Sequence, residues 1–347
     1  MNITRKFATI DGAGIISVGE GPVPDPGPGE ILIEVRASSI SSGTELGGVK
    51  RRRESPNTSR PARPFGYQNA GDVIAKGPDV PEFQIGDKVA CMGGGYALHT
   101  THACVPRNLS VHMPEGMSYE EAALNHLGAT ALHLIRRAQL EFAENVAVFG
   151  LGTVGQFTCQ LAGLSGAHVM AIDRFPLRLK VAKETGADVA INFENDNPVE
   201  IAAEFTRGYG VDCAAICFGG DANAALKQIT QMMKKSPDTH RMGRVVGVAG
   251  SFSCSFGASS GNLDFRSSAR PGPGYHDEEY ERGRDYPPVF VPWTTKRNIE
   301  EVLRFAVEGK LKIKPLISHE YPLDEAPEAC ERIIQNPEEV LAVVLKP

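Results

Sequence analysis

The sequence contains no run of about 18 apolar residues, so a transmembrane helix is not expected. Behind the charges of Met1-Asn2-Ile3-Thr4-Arg5-Lys6 there is no apolar segment of the kind a secretory signal needs. Positive charge is not in excess: 36 Lys and Arg against 42 Asp and Glu leave a net charge of −6. No basic domain or aromatic-basic repeat stands out, which argues against nucleic acid and anionic membrane as partners. Paired cysteine spacings are also missing. The seven cysteines (Cys91, Cys104, Cys159, Cys213, Cys217, Cys254, Cys330) are scattered and odd in number. That pattern fits buried thiols in a reducing cytoplasm better than a disulfide framework. Cys213 and Cys217 lie closest, in an apolar run, with no second pair to complete a four-thiolate metal site, and core packing is the reading. No period of 20–50 residues repeats, which excludes a solenoid.

What is present suits a two-domain α/β protein of 347 residues, 41% of them apolar and 22% charged. The Gly/Pro-rich stretch at 20–30 is expected to be a loop. Short β signals follow at 31–37, 71–75 and 88–91, so the first 115 residues read as a mostly β unit. Near 118 the texture changes. Ser118 with Glu121 forms a capping box ahead of a helical pattern running through Leu134. From 145 onward, short β-branched runs at 146–149, 169–172, 189–191, 213–217 and 245–248 alternate with helical stretches ending near 165 and 185. Such alternation predicts a parallel sheet of right-handed βαβ units.

The strongest motif is Val146-Ala-Val-Phe-Gly150-Leu-Gly152-Thr153-Val154-Gly155. It follows a predicted strand and opens a predicted helix. A second apolar strand then ends in Asp173, 18 residues after Gly155. Three glycines at this spacing allow a tight turn, close approach of a pyrophosphate, and packing of helix on sheet. The pyrophosphate sits on the N–H groups of the helix start. Asp173 at the strand end accepts ribose hydroxyls and repels a 2′-phosphate, so NAD(H) is preferred over NADP(H) although Arg174 and Arg178 follow it. Phe218 and Gly219, Val248 and Ala249, and Thr130 complete the candidate cofactor contacts.

At this point the chain resembles the medium-chain dehydrogenase/reductase superfamily, of the zinc-type alcohol dehydrogenase-like kind, over nearly its full length. The resemblance rests on Gly66-Tyr-Gln-Asn-Ala-Gly71-Asp-Val73, Phe83-Gln-Ile-Gly-Asp-Lys-Val89, Gly94-Gly-Tyr-Ala97 and Leu127-Gly-Ala-Thr-Ala131. It implies a GroES-like catalytic domain over 1–120, a Rossmann-type NAD-binding domain over 121–268, and a return segment over 269–347 that completes the first. Substrate would bind in the cleft between the domains. A homodimer or homotetramer joined through the Rossmann sheets is also implied, using an edge strand near 245–248.

The departures are informative. Where zinc-dependent members place metal ligands, this sequence has Ser42, Tyr67 and Gln68, which do not make a zinc shell, and the four-cysteine structural lobe is missing. No metal is expected. Proton transfer beside the reacting oxygen then falls to side chains: Tyr67 and His126 as acid/base candidates, Thr44 as a hydroxyl relay, and Glu45 to orient a neighbour. The segment 266–298 resembles a saccharide-linked subgroup of the family. Its Arg270, Tyr275, Trp293 and Arg297, with Ser42 and Gln68, are candidates for binding a polyhydroxylated ligand. The basic run Lys50-Arg51-Arg52-Arg53, with Arg60 and Arg63, would either rim the site or form a solvated face. The expected function is a zinc-independent NAD(H)-dependent alcohol dehydrogenase or ketone reductase for a sugar, cyclitol or polyol. The alternatives are an NADPH-dependent enoyl or quinone reductase, and a cofactor-binding protein without catalysis.

Overall fold

The computed structural model describes residues 4–248 and 252–347. The chain divides into two compact units. One comprises 1–129, 271–309 and 317–347, and the other comprises 130–270 and 310–316. Among the described residues no helix is long and apolar enough to cross a membrane.

The first unit is mostly β. Strand Glu30–Ile40 lies at its centre, paired antiparallel with Gln68–Lys76, His102–Pro106 and Ala342–Lys346. The sheet extends through Lys88–Met92 to Ser110–His112 on one side and to Ile317–Pro322 on the other. Ile31, Ile33, Val35, Val73, Phe83, Val89 and Leu109 fill one core under it, closed by Ile299 and Leu303. A smaller sheet pairs Thr4–Ile10 with Ile16–Pro22, so 20–22 is edge strand rather than loop. Proline is tolerated there because an outer strand does not need every N–H.

The second unit carries a six-stranded parallel sheet. In chain order its strands are Asn145–Phe149, His168–Asp173, Val189–Asn192, Cys213–Ile216, Met242–Gly247 and Asn262–Ser267. Their spatial order is third, second, first, fourth, fifth, sixth. This is the doubly wound order, and the reversal falls beside Asn145–Phe149, the strand that leads into the three-glycine motif. The predicted α/β class and parallel sheet are both present. One detail differs: the strand at 245–248 is not an edge, because Asn262–Ser267 adds parallel to it and takes the outer position.

Two features position the candidate site. Ser118 caps a short helix, Tyr119–Ala122, accepting Glu121 N–H at 3.3 Å, with a second helix, Asn125–Ala138, close behind. At its start the fully buried Asn125 amide donates to three carbonyls, those of Ala122 (2.9 Å), Cys91 (3.1 Å) and Asn69 (3.3 Å). A buried carbonyl left without its donor costs about 1–3 kcal/mol, so this clamp fixes the helix start on the sheet. The segment after Ser42 is a helix, Thr44–Glu54. Only Leu46 and Val49 of it are buried, and it carries the Lys50–Arg53 charges. Arg53 there is paired with Glu331, and Arg52 donates to the Asp11 carbonyl at 3.2 Å.

Candidate active site and dinucleotide cradle

In the first unit Tyr67 is the centre of a polar cluster. It precedes strand Gln68–Lys76, and its carbonyl accepts Gly93 N–H at 2.8 Å. Its hydroxyl lies beside the side chains of Ser41 and Thr44, both of which favour its ionised form. Burial, and then the nearby Glu45 charge, push its ionisation well above the usual phenol range, so the hydroxyl remains protonated. Glu45 accepts Ser41 N–H at 2.7 Å and lies 3.3 Å from His99 Nε2. Ser42 is half-buried beside this cluster and Thr44 is exposed.

An aromatic wall continues from Tyr67. Its ring meets His126 edge-on at 4.6 Å, and His126 meets Tyr275 at 5.8 Å. Tyr275 stacks on His276 at 3.9 Å and accepts Gly94 N–H on its hydroxyl at 2.8 Å. Burial pushes the His126 pKa down to about 3, with the His276 charge adding to the shift, so the ring is neutral at ordinary pH. A neutral, shielded imidazole is a poor proton donor.

Gln68 is fully buried and uses both ends of its amide on the backbone. Its Nε2 donates to the Ser39 carbonyl at 3.1 Å, and its Oε1 accepts Leu127 N–H at 3.3 Å. Arg297 lies over the Trp293 ring, 3.8 Å from its centroid, and donates to the Pro292 carbonyl at 2.8 Å. Arg270 is exposed in the second unit, with φ +64°. Among the described residues no group of three or more His, Cys, Asp or Glu is arranged to hold a metal ion. Reasoning from the sequence missed His99, Ser38 and Ser41. His99 lies just past the quoted Gly94-Gly-Tyr-Ala97 motif, and the two serines sit in the Ser38-Ser-Ile-Ser-Ser42 run.

In the second unit the three glycines divide the work as their spacing predicts. Gly150 turns with φ +88°, a conformation that suits glycine. A Cβ on Gly155 would collide with the Gly150 carbonyl, so helix Thr153–Leu164 packs tightly on the strand. A Cβ on Gly152 would meet nothing within 4 Å. Gly152 is also the helix N-cap and supplies no side chain to its N–H groups. Open space in front of bare helix N–H groups is what a pyrophosphate requires, so a dinucleotide fits this loop. Thr153 is buried and Val154 half-buried in the first turn.

Asp173 is 5% exposed. One oxygen accepts Leu151 N–H at 2.6 Å within the glycine loop, and the other accepts Arg174 N–H at 2.7 Å and Phe175 N–H at 3.1 Å. Arg174 and Arg178 both lie over the Phe175 ring, at 4.8 and 4.6 Å. Phe218 and Gly219 follow strand Cys213–Ile216, with Phe218 against Gly150. Val248 N–H donates to the Ile216 carbonyl at 3.1 Å. Thr130 is buried in helix Asn125–Ala138. Ala249 lies outside the described residues.

Residues 27–133 match the family model described as "Alcohol dehydrogenase GroES-like domain", and residues 153–270 match "Zinc-binding dehydrogenase". The chain is 30% identical to the L-threonine 3-dehydrogenase of Symbiobacterium thermophilum, over 61% of this chain and 67% of that protein. It is 25% identical to the sorbitol dehydrogenase of Bacillus subtilis, over 99% and 97%. A solved Escherichia coli oxidoreductase/dehydrogenase of unknown specificity superposes with a TM-score of 0.82 over 99% of both chains at 19% identity, a likeness of fold.

The open space at Gly152 makes a separable prediction. Gly152→Val should fold with stability within about 1 kcal/mol of the parent, since a Cβ there has no atom within 4 Å. It should weaken NADH binding by about 10-fold or more, measured by fluorescence titration, because the side chain occupies the pyrophosphate position. Unchanged affinity would remove the cradle from this loop.

Proposed function

Because the chain belongs to the zinc-type alcohol dehydrogenase-like medium-chain dehydrogenase/reductase superfamily, whose members are NAD(P)-dependent oxidoreductases, we propose that it interconverts a secondary alcohol and a ketone on a sugar, cyclitol or related polyol. The reading takes NAD(H) as cofactor and no catalytic zinc. It is carried by the Tyr67 hydroxyl, a buried, protonated group beside Ser41, Thr44 and the Glu45 carboxylate, at a position where zinc-dependent members hold a metal ligand. The sorbitol dehydrogenase relative, similar over nearly its whole length, supports a polyol.

Zinc independence is supported by donor chemistry. A hydroxyl (Ser42), a phenol (Tyr67) and a carboxamide already bonded to backbone (Gln68) do not form the thiolate, imidazole or carboxylate set that zinc takes. When bound, the nicotinamide accepts or supplies the hydride. Tyr67 donates a hydrogen bond to the carbonyl oxygen of the ketone and passes it a proton on reduction; in oxidation the alcohol proton moves the other way. Thr44 and Ser41 hold the hydroxyl in place, and His126, kept neutral, packs against the Tyr67 ring. Tyr275 offers an aromatic face to the C–H side of a sugar ring. Ligand contacts are assigned to Ser42, Tyr275, Trp293, Arg297 and Arg270, and Gln68 serves to hold the helix start that carries His126.

NAD(H) preference is assigned to Asp173, whose fixed carboxylate keeps a lone pair on Oδ2 for a ribose hydroxyl and repels a 2′-phosphate. For assembly we propose a dimer or tetramer in which the outer edge of strand Asn262–Ser267, paired on one side only among the described residues, meets a second copy.

Three outcomes are expected. Tyr67→Phe should lower single-turnover rates about 10²-fold while leaving NADH affinity intact, and elemental analysis should find no stoichiometric zinc in an enzyme that resists chelator. One zinc per chain, or a Tyr67→Phe variant with normal hydride transfer, would overturn the mechanism. Asp173→Ser should weaken NADH and narrow its advantage over NADPH, and an unchanged preference would sink the cofactor assignment. Light scattering at micromolar concentration should report a dimer or larger, and a monomer would remove the assembly.

A further inference from the structure

The polar cluster at Tyr67 continues into the interior of the first unit through groups that the mechanism above does not use. The Glu45 side chain is 7% exposed and that of His99 is fully buried. Glu45 Oε2 takes Ser41 N–H at 2.7 Å and faces His99 Nε2 at 3.3 Å. Its Oε1 is also 3.3 Å from Nε2, yet it is shielded from solvent and has no hydrogen-bond partner among the described residues. On its other side, His99 Nδ1 lies 2.9 Å from Ser38 Oγ. The imidazole is thus held from both ends, and Phe65 meets its ring edge-on at 5.1 Å. The backbone fixes the same contact: His99 N–H donates to the Phe65 carbonyl at 3.1 Å, and a Cβ on Gly66 would run into His99 N.

A carboxylate withdrawn from water with one oxygen lacking a donor has an acceptor site open for a proton. Such a group suits a place where a proton arrives and leaves. We propose that Glu45 is the proton acceptor behind Tyr67, and that His99, anchored by Ser38, is the positioning residue that holds Glu45 for this task. The inference rests on the reading of Tyr67 given above. In alcohol oxidation the substrate O–H bond breaks and its proton passes to the Tyr67 oxygen. The proton of Tyr67 passes on to Glu45, which becomes a neutral acid. The hydride leaves with the C–H electron pair, the half of the reaction that the nicotinamide takes up. Reduction runs the same steps backwards, and Glu45 returns to the carboxylate by exchange with solvent. The titratable groups facing Glu45 are Tyr67, His99 and Cys330. Burial and the Glu45 charge push the Cys330 thiol upward, so it stays protonated and does not compete for the proton.

The test uses the full-length protein with NAD and whichever of sorbitol, arabitol, myo-inositol and 2,3-butanediol turns over fastest. Glu45→Gln should slow single-turnover oxidation by about 10²-fold with NADH affinity unchanged. His99→Phe should slow it by about 10-fold or more, and His99→Gln, which keeps a donor toward Glu45, should recover most of the loss. A packing role for His99 would reverse that ranking, since a phenyl ring suits the site beside Phe65 better than an amide. Should His99→Phe fail to fold, Ser38→Ala removes only the anchor and should slow the reaction several-fold. A readout independent of turnover is the ultraviolet titration of Tyr67, isolated by difference against Tyr67→Phe. Glu45→Gln should let the phenol ionise at lower pH, because the neighbouring negative charge is gone. Normal rates in Glu45→Gln beside a slow Tyr67→Phe, or a phenol titration that does not move, would overturn the relay and leave Tyr67 in place. A fast Tyr67→Phe, or no polyol oxidised at all, would instead bring down the function reading, and the phenol titration would still decide whether Glu45 and Tyr67 are coupled.

Discussion

The burial of the Glu45 carboxylate is the constraint on which the arrangement of the first unit around the candidate site depends. A charge taken out of water is stable only where donors are already in place, and a missing donor costs several kcal/mol. Here the donors come from segments far apart in sequence: Ser41 N–H from the turn that opens helix Thr44–Glu54, and His99 from the stretch ahead of strand His102–Pro106. Holding His99 there requires Ser38 on the central strand and close passage of the chain at Gly66. Tyr67 is the next residue, so the contact that holds the carboxylate also fixes the phenol.

The same economy of backbone bonding orders the other side of the site. Asn125 gives its amide to three carbonyls and Gln68 accepts Leu127 N–H, so the start of helix Asn125–Ala138 is tied to strand Gln68–Lys76 before any ligand arrives. His126 lies between these two ties and has little freedom to move. Its low pKa is a consequence of that placement, and it explains why a histidine near a reacting centre need not be the residue that titrates there.

What the sequence made legible is what short-range physics controls. The three glycines, the strand ahead of them, the helix behind them and Asp173 form one local unit of about 30 residues, and the structure builds it as the pattern requires. The capping box at Ser118 is equally local. Helix Thr44–Glu54 escaped notice because two glycines and a run of basic residues hide its periodicity, with only Leu46 and Val49 facing inward. His99 escaped for a different reason. Its meaning lies in a contact across 54 residues with Glu45, and no local pattern records that. The serines at 38 and 41 look like ordinary strand and turn residues until their partners are placed.

Asp173 shows how one residue joins the two scales. Its carboxylate sits at a strand end beside the glycine loop, largely buried, and three backbone N–H groups bind it, one of them from that loop. Those bonds fix the orientation of the carboxylate: Oδ1 accepts two of them, and Oδ2, which accepts one, retains a lone pair for a further hydrogen bond. The loop that would hold the pyrophosphate and the acid that would hold the ribose are therefore one hydrogen-bonded object. Arg174 and Arg178, drawn over the Phe175 ring, add positive charge to the rim without replacing the carboxylate at its centre. Discrimination between cofactors at such a site is a contest between a fixed negative charge and two nearby cations, one of which, Arg178, lies 3.9 Å from the carboxylate. A fixed charge loses no ordering entropy when a ligand arrives, and the proposed NAD(H) preference rests on that.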